Sequence, residues 1–232
     1  LSFNSFGQTG IIQIPSAQSQ KEGSLSINLN RNDIWKFGAL TVSPFNWLEA
    51  SYFYYRPSDL TWEGNGVAGH YLDKGFNVKF IYRPKYAKNV NFAVGLDDFA
   101  GTGLFTKEYI VSTTQLDNIK LSVGMGWGKF VGENSFKNPL SKISNKLRYR
   151  QETSDNISQG GTPSYDLWFR GNASIFGGLE YTIPNTNGIK LKVEHDPLNY
   201  FDFSANNRRD AIKELRSKDS SLNYGFSFPV NK

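Results

Sequence analysis

At 232 residues the chain has room for one barrel or sandwich, read as a single domain over 1–232. It has no cysteine and two histidines, which excludes a disulfide framework, a thiolate site and a histidine-rich metal centre. The net charge of +5 is concentrated within 129–150, where Lys129, Lys137, Lys142, Lys146, Arg148 and Arg150 face Glu133 alone; the balanced remainder excludes a general nucleic-acid binder.

No stretch approaches eighteen consecutive apolar residues, so a membrane helix is excluded. A membrane barrel is not, because every second residue of its strands faces the lumen and dilutes the hydropathy. In chain order, 10–15 is a candidate first strand. Leu25, Ile27 and Leu29 then alternate with Ser24, Ser26 and Asn28. Less regular candidates cover 38–43 and 47–56, followed by alternation from Phe76 to Arg83 and from Val90 to Asp97. After a candidate at 103–115 comes the cleanest pattern. Ile119, Leu121, Val123, Met125 and Trp127 share one face, with Lys120, Ser122, Gly124, Gly126 and Gly128 on the other. Candidates at 173–183, 189–193 and 222–228 complete about eleven strands, each of period two with one apolar and one polar side.

Connections at 44–46, 84–89, 117–118 and 184–188 are short and rich in Pro, Asn, Asp and Gly, as tight turns require. Those at 57–74, 129–172 and 197–220 are long. Short and long mostly alternate, which predicts an antiparallel up-and-down transmembrane β-barrel with one trimmed and one elaborated rim. Were 10–15 the first wall strand and the amino terminus periplasmic, the long loops would fall on the periplasmic side. The 197–220 loop could carry a short helix over 205–216. Pro229-Val230-Asn231-Lys232 reads as the start of a turn, so the chain is expected to be a piece of a longer protein whose barrel has twelve or more strands.

Parity places Glu49, Lys79, Arg83, Asp97, Glu180, Lys190, Lys192 and Glu194 on the polar, lumen-facing side. In a small barrel such charges pack as ion pairs; in a wider one they line a path. Trp127, Tyr165, Trp168 and Arg170 stand near the two ends of the long basic loop. With Lys142, Lys146, Arg148 and Arg150 they are candidate contacts for a glycan or a partner protein. Aromatics there also suit an interfacial girdle. Gly64-Asn65-Gly66-Val67-Ala68-Gly69 spells a dinucleotide fingerprint, but no helical period follows it, and a glycine loop is the better reading. His195-Asp196 could be half of a hydrolase triad, yet by parity His195 shares the apolar face at a strand end. The Asp97-Asp98 pair lacks a third metal ligand. No catalytic residue, cofactor or metal is expected.

Several strings are recognisable in order: Thr9 to Ala17 (TGIIQIPSA), Pro44 to Ala50 (PFNWLEA), Asp73 to Lys79 (DKGFNVK), Gly101 to Phe105 (GTGLF) with Glu108-Tyr109, Gly124 to Gly128 (GMGWG), Trp168 to Gly171 (WFRG), Phe176-Gly177-Gly178 and Glu194-His195-Asp196. Together they resemble the YjbH-like family of Gram-negative outer-membrane proteins. The resemblance implies an outer-membrane barrel with a non-enzymatic role in making or exporting surface polysaccharide, and members much longer than this chain. It implies outer-membrane lipids, acidic exopolysaccharide and export proteins as partners. It transfers no catalytic residue. The alternatives are a general porin without glycan specificity and a membrane-embedded hydrolase.

Overall fold

The computed structural model describes residues 2–31, 35–57, 61–64, 67–70, 72–101, 106–132, 134–151, 163, 165–198 and 220–230. The chain is all-β: its helical content among the described residues is two short 3-10 turns, Pro139–Lys142 and Asn145–Leu147. The strands are β1 (Ser24–Arg31), β2 (Trp35–Phe45), β3 (Leu48–Pro57), β4 (Thr61–Gly64), β5 (Val67–His70), β6 (Asp73–Tyr82), β7 (Val90–Asp97), β8 (Lys107–Leu116), β9 (Ile119–Gly128), β10 (Ser174–Thr182), β11 (Lys190–His195) and β12 (Leu222–Ser227). Ten of them form one antiparallel meander, ordered β1-β2-β3-β6-β7-β8-β9-β10-β11-β12, while β4 and β5 pair as a separate hairpin. The meander is an open sheet, with β1 and β12 as its edges; closure into a barrel is not part of this arrangement.

Two expectations need correction. Residues 10–15 are not a wall strand. They make only an isolated bridge, Gly10 to Pro15, within a folded segment spanning residues 2–20 that is buried along almost its whole length. The 64–69 string lies in the β4–β5 hairpin, whose Gly64–Val67 register leaves Asn65-Gly66 between the strands. Asn-Gly between two short strands is a strong hairpin signal, and it outweighs the polar composition that reads as a loop. The expected helix within 205–216 lies outside the described residues.

In a meander successive connections fall on opposite rims. The turns after β2, β6, β8 and β10 share one rim and are short; the connections after β3, β7, β9 and β11 share the other and are longer. The 2–20 segment feeds β1 at the short-turn rim, since Ser24 pairs with Ser43 beside the β2–β3 turn. The long loops therefore lie on the rim opposite the point where the amino-terminal segment enters the wall.

The period-two pattern sorts side chains onto two unlike faces. On the convex face every strand of the meander leaves apolar side chains exposed: Ile27, Leu40, Tyr52, Phe80, Val94, Ile110, Leu121, Ile175, Leu191 and Phe226 are one from each. The concave face is closed over by the amino-terminal segment. Phe6 packs among Trp35, Phe37, Phe53 and Tyr55, with the Phe37 and Phe53 rings stacked at 5.3 Å. A second aromatic group joins Tyr109, Phe130 and Phe176, which sit where glycines leave room. A Cβ at Gly95 would collide with Tyr109, and one at Gly124 with Phe176.

Candidate functional site

The concave face is a polar interface between the wall and residues 2–20. That segment contains no Asp, Glu, Lys or Arg, and is rich in Ser, Asn, Gln and Thr. It therefore supplies backbone and amide partners, while the wall supplies every charge. Glu49 on β3 and Lys79 on β6 are directly opposite in register and pair at 2.8 Å with both side chains fully buried. Glu49 also accepts the Thr9 amide at 2.9 Å, and Lys79 donates to the Thr9 carbonyl at 3.1 Å and to its hydroxyl. Asp97 pairs with Lys107 at 2.9 Å and accepts from Gln8 at 2.6 Å; the Lys107 ammonium lies 3.4 Å from the centre of the Phe6 ring. Tyr109 donates to the side-chain amide oxygen, Oε1, of Gln8 at 3.1 Å.

The pattern continues around the sheet. Glu180 on β10 pairs with Lys120 and Lys190, both at 2.9 Å, and accepts the Ser2 hydroxyl. Lys192 donates to the Ile11 carbonyl at 2.9 Å. Glu194 gathers three backbone amides, from Ile12 at 2.9 Å, Gln13 at 2.7 Å and Ile14 at 3.3 Å, and also accepts from Asn223 at 3.0 Å. Arg83 stands apart from the other wall charges. It lies beyond the end of β6, exposed at the short-turn rim, where it donates to Ser19 at 2.9 Å and to the Asn46 carbonyl.

The charges of this face thus converge on one object, the amino-terminal segment. Buried ions are tolerable only when paired and hydrogen-bonded, and here that segment completes those requirements. A diffusion path along the same face would need those groups facing water.

The second site is the long basic connection between β9 and β10. Its anchor is Glu108 on β8, buried, to which Arg150 donates twice, at 2.6 and 3.0 Å. Glu108 also accepts the Phe169 amide at 3.1 Å, and Arg150 donates to the Leu167 carbonyl at 2.8 Å. Asn138 ties the remaining turns together by donating to the Leu147 and Phe169 carbonyls. Of the residues expected to meet a ligand, Arg150 is instead a structural latch. Trp127 is fully buried under the Phe169 ring, 5.1 Å between centres, and presents no surface; the parity that placed it outward held, but the folded loop covers it. Tyr165 and Trp168 pack on each other at 4.9 Å, and Arg170 pairs with the exposed Asp166 at 3.4 Å. Lys142 and Lys146 are exposed on the 3-10 turns, and Arg148 is exposed beside Tyr149.

Removing the latch is expected to loosen the loop before the wall. Arg150→Ala leaves the buried Glu108 without its cation, a change that costs about 3–5 kcal/mol for a buried pair. Limited proteolysis should then cut within 134–170 at protease levels that spare the wild type; equal protection would refute the latch.

His195 is half-buried across from Gly177 and Leu222, and the Asp196 carboxylate accepts the Leu198 amide at 2.9 Å. Asp97 is held by Lys107 and Gln8, as above. Among the described residues no three of His, Asp and Glu gather as a metal-binding group, and no helix is long and apolar enough to cross a membrane.

Comparison with known proteins places the chain. No solved structure matches it. It is 33% identical over 228 residues to the uncharacterized lipoprotein YjbH of Escherichia coli (strain K12), covering 97% of this chain and 31% of that relative. The chain thus spans about a third of the length of that curated relative. The model of the family described as exopolysaccharide biosynthesis protein matches residues 2–232, so this chain belongs to the YjbH exopolysaccharide biosynthesis family.

Proposed function

We propose that this chain is part of the wall of an outer-membrane β-barrel that carries its own plug and serves exopolysaccharide biosynthesis or export without catalysing a reaction. The observation that carries the reading is the exposed apolar convex face, to which every strand of the ten-stranded meander contributes. Contiguous apolar surface of that extent is rare on soluble proteins and marks contact with lipid or another protein. Strands of eight to eleven residues dominate the wall, close to the length a tilted membrane strand requires. An aromatic band adds support: at the short-turn rim Phe45, Trp47 and Phe80 stack in series, 5.3 and 6.3 Å apart, and Tyr82 and Phe228 are exposed. Tyr and Trp belong at such levels of a membrane, with the apolar ring in lipid and the polar edge in water.

On this reading the partners are outer-membrane lipids, acidic exopolysaccharide and periplasmic or outer-membrane export proteins. A role without catalysis is favoured because the concave acids and bases hold the plug or a counter-ion rather than a substrate cavity. The filled concave face also favours a plugged wall over a general porin.

Full-length protein reconstituted in vesicles containing bromine-labelled lipid tests the reading. Tryptophan emission should be quenched, and Trp47→Phe should reduce the quenched signal, because Trp47 is exposed at the short-turn rim. The same vesicles should pass no ions until residues 2–19 are deleted. A protein that stays in solution without detergent and shows no quenching would overturn the proposal.

A further inference from the structure

We propose that the cleft in the β9–β10 connection binds a carboxylated saccharide. The inference rests on the polysaccharide part of the reading above and names the ligand class and the place where it is held. The cleft has a volume of about 520 Å³ and lies between the end of β9 and the folded loop. That volume falls within the range of sites that hold small organic ligands.

Three cations line it from three separate segments: Lys137, Arg148 and Arg170. Lys137 and Arg148 are exposed and have no ion-pair partner among the described residues, whereas Arg170 has only the exposed Asp166. Arg150 also borders the cleft, but its charge is balanced by Glu108. Among the described residues the cleft therefore carries an excess of positive charge. Such a concentration of one sign in a concavity attracts anions.

The neutral lining sharpens the class. Tyr149 is 71% exposed with the Arg148 guanidinium 5.4 Å from its ring centre, and Asn172 is exposed beside it. An exposed ring with an amide and spaced cations suits an extended ligand. Such a ligand offers flat apolar ring faces, hydroxyls and anionic groups at intervals. A lone phosphate is held differently, by donors converging on one point. The residues that line the cleft are also tied down by the Glu108 latch and the Asn138 clamp described above. Ligand binding therefore does not have to order them.

The test uses full-length protein in lipid vesicles, with oligogalacturonate as probe, a maltooligosaccharide of equal length as neutral control, and inorganic phosphate as competitor. Oligogalacturonate should bind saturably, more weakly as salt rises, and Lys137→Gln with Arg148→Gln should weaken it by about tenfold or more. Both side chains are exposed and unpaired, so the double variant should keep the tryptophan quenching of the wild type. Equal affinity for the maltooligosaccharide, displacement by phosphate at matching concentration, or unchanged binding in the double variant would each overturn the proposal. So would a wild-type protein that inserts in lipid yet binds no oligogalacturonate, and in that case the barrel reading stands. Binding that depends on Arg148 in a protein showing no lipid quenching would refute the barrel and leave the cleft assigned.

Discussion

Glu194→Ala is expected to release the plug from the wall. Its carboxylate is the shared acceptor for the amides of Ile12, Gln13 and Ile14, three donors on a tight turn that points its N–H groups into one space. Such an arrangement of amides is a small anion site, here occupied by a side chain of the protein itself. Alanine removes the acceptor and leaves Ile14, which is fully buried, and its two neighbours without partners. Each stranded donor costs about 1–3 kcal/mol, so the loss is several kcal/mol. It should appear as a lower midpoint for urea unfolding in lipid or detergent, with earlier proteolytic cleavage inside residues 2–19. Glu194→Gln keeps one carbonyl acceptor and should fall between the two. A variant with wild-type midpoint and wild-type protection of 2–19 would show that the plug is held elsewhere.

Lys79→Met should be of similar size for a different reason. Lys79 and Glu49 are paired at 2.8 Å with neither side chain exposed, so removing the lysine leaves an uncompensated carboxylate in the interior. Breaking one side of a buried pair costs about 3–5 kcal/mol, whereas replacing both sides with apolar residues is often nearly neutral. The double variant Lys79→Met with Glu49→Leu should therefore recover part of the loss. It should not recover all of it, because Glu49 also accepts the amides of Thr9 at 2.9 Å and Gln20 at 3.3 Å. Unfolding midpoints for the two single variants and the double variant give the coupling directly. If the losses simply add, the pair does not interact energetically and the plug is not organised around it.

Both predictions concern residues whose side of the sheet was readable from parity, though not what they do there. Glu49, Lys79, Asp97, Glu180 and Glu194 are polar residues in alternating runs, and alternation says only that they share a face. Their common partner, residues 2–20, has a signal of its own: residues 1–20 carry no charged side chain and are rich in amides and hydroxyls. Such a segment has little to repel it from a charged interior and many groups to satisfy one. Ile11, Ile12 and Ile14 made it look like a strand, yet Ile11 and Ile14 are buried against the concave face instead of lipid. The β4–β5 hairpin is likewise marked by Asn65-Gly66, although the polar residues around the string read as a loop.

The basic loop divides similarly. Its charge was countable, and Arg148 and Arg170 do meet at one cleft with Lys137. That Arg150 serves as a latch could not be counted, because its partner Glu108 lies 42 residues away on β8. Trp127 lies on the face of β9 that parity indicates, but the ring that covers it, Phe169, comes from the far end of the loop.

Local patterning was enough for the ten strands of the meander, their faces and the short turns between them. Period-two alternation and turn chemistry act between residues a few positions apart, and a meander pairs neighbours in order. Only the folded chain shows that the opening segment packs against the charged face of the sheet, and which cations are paired internally and which stand exposed. Those outcomes depend on contacts across the whole chain, such as the Ile12 amide meeting a carboxylate 182 residues later, and no local pattern encodes that distance.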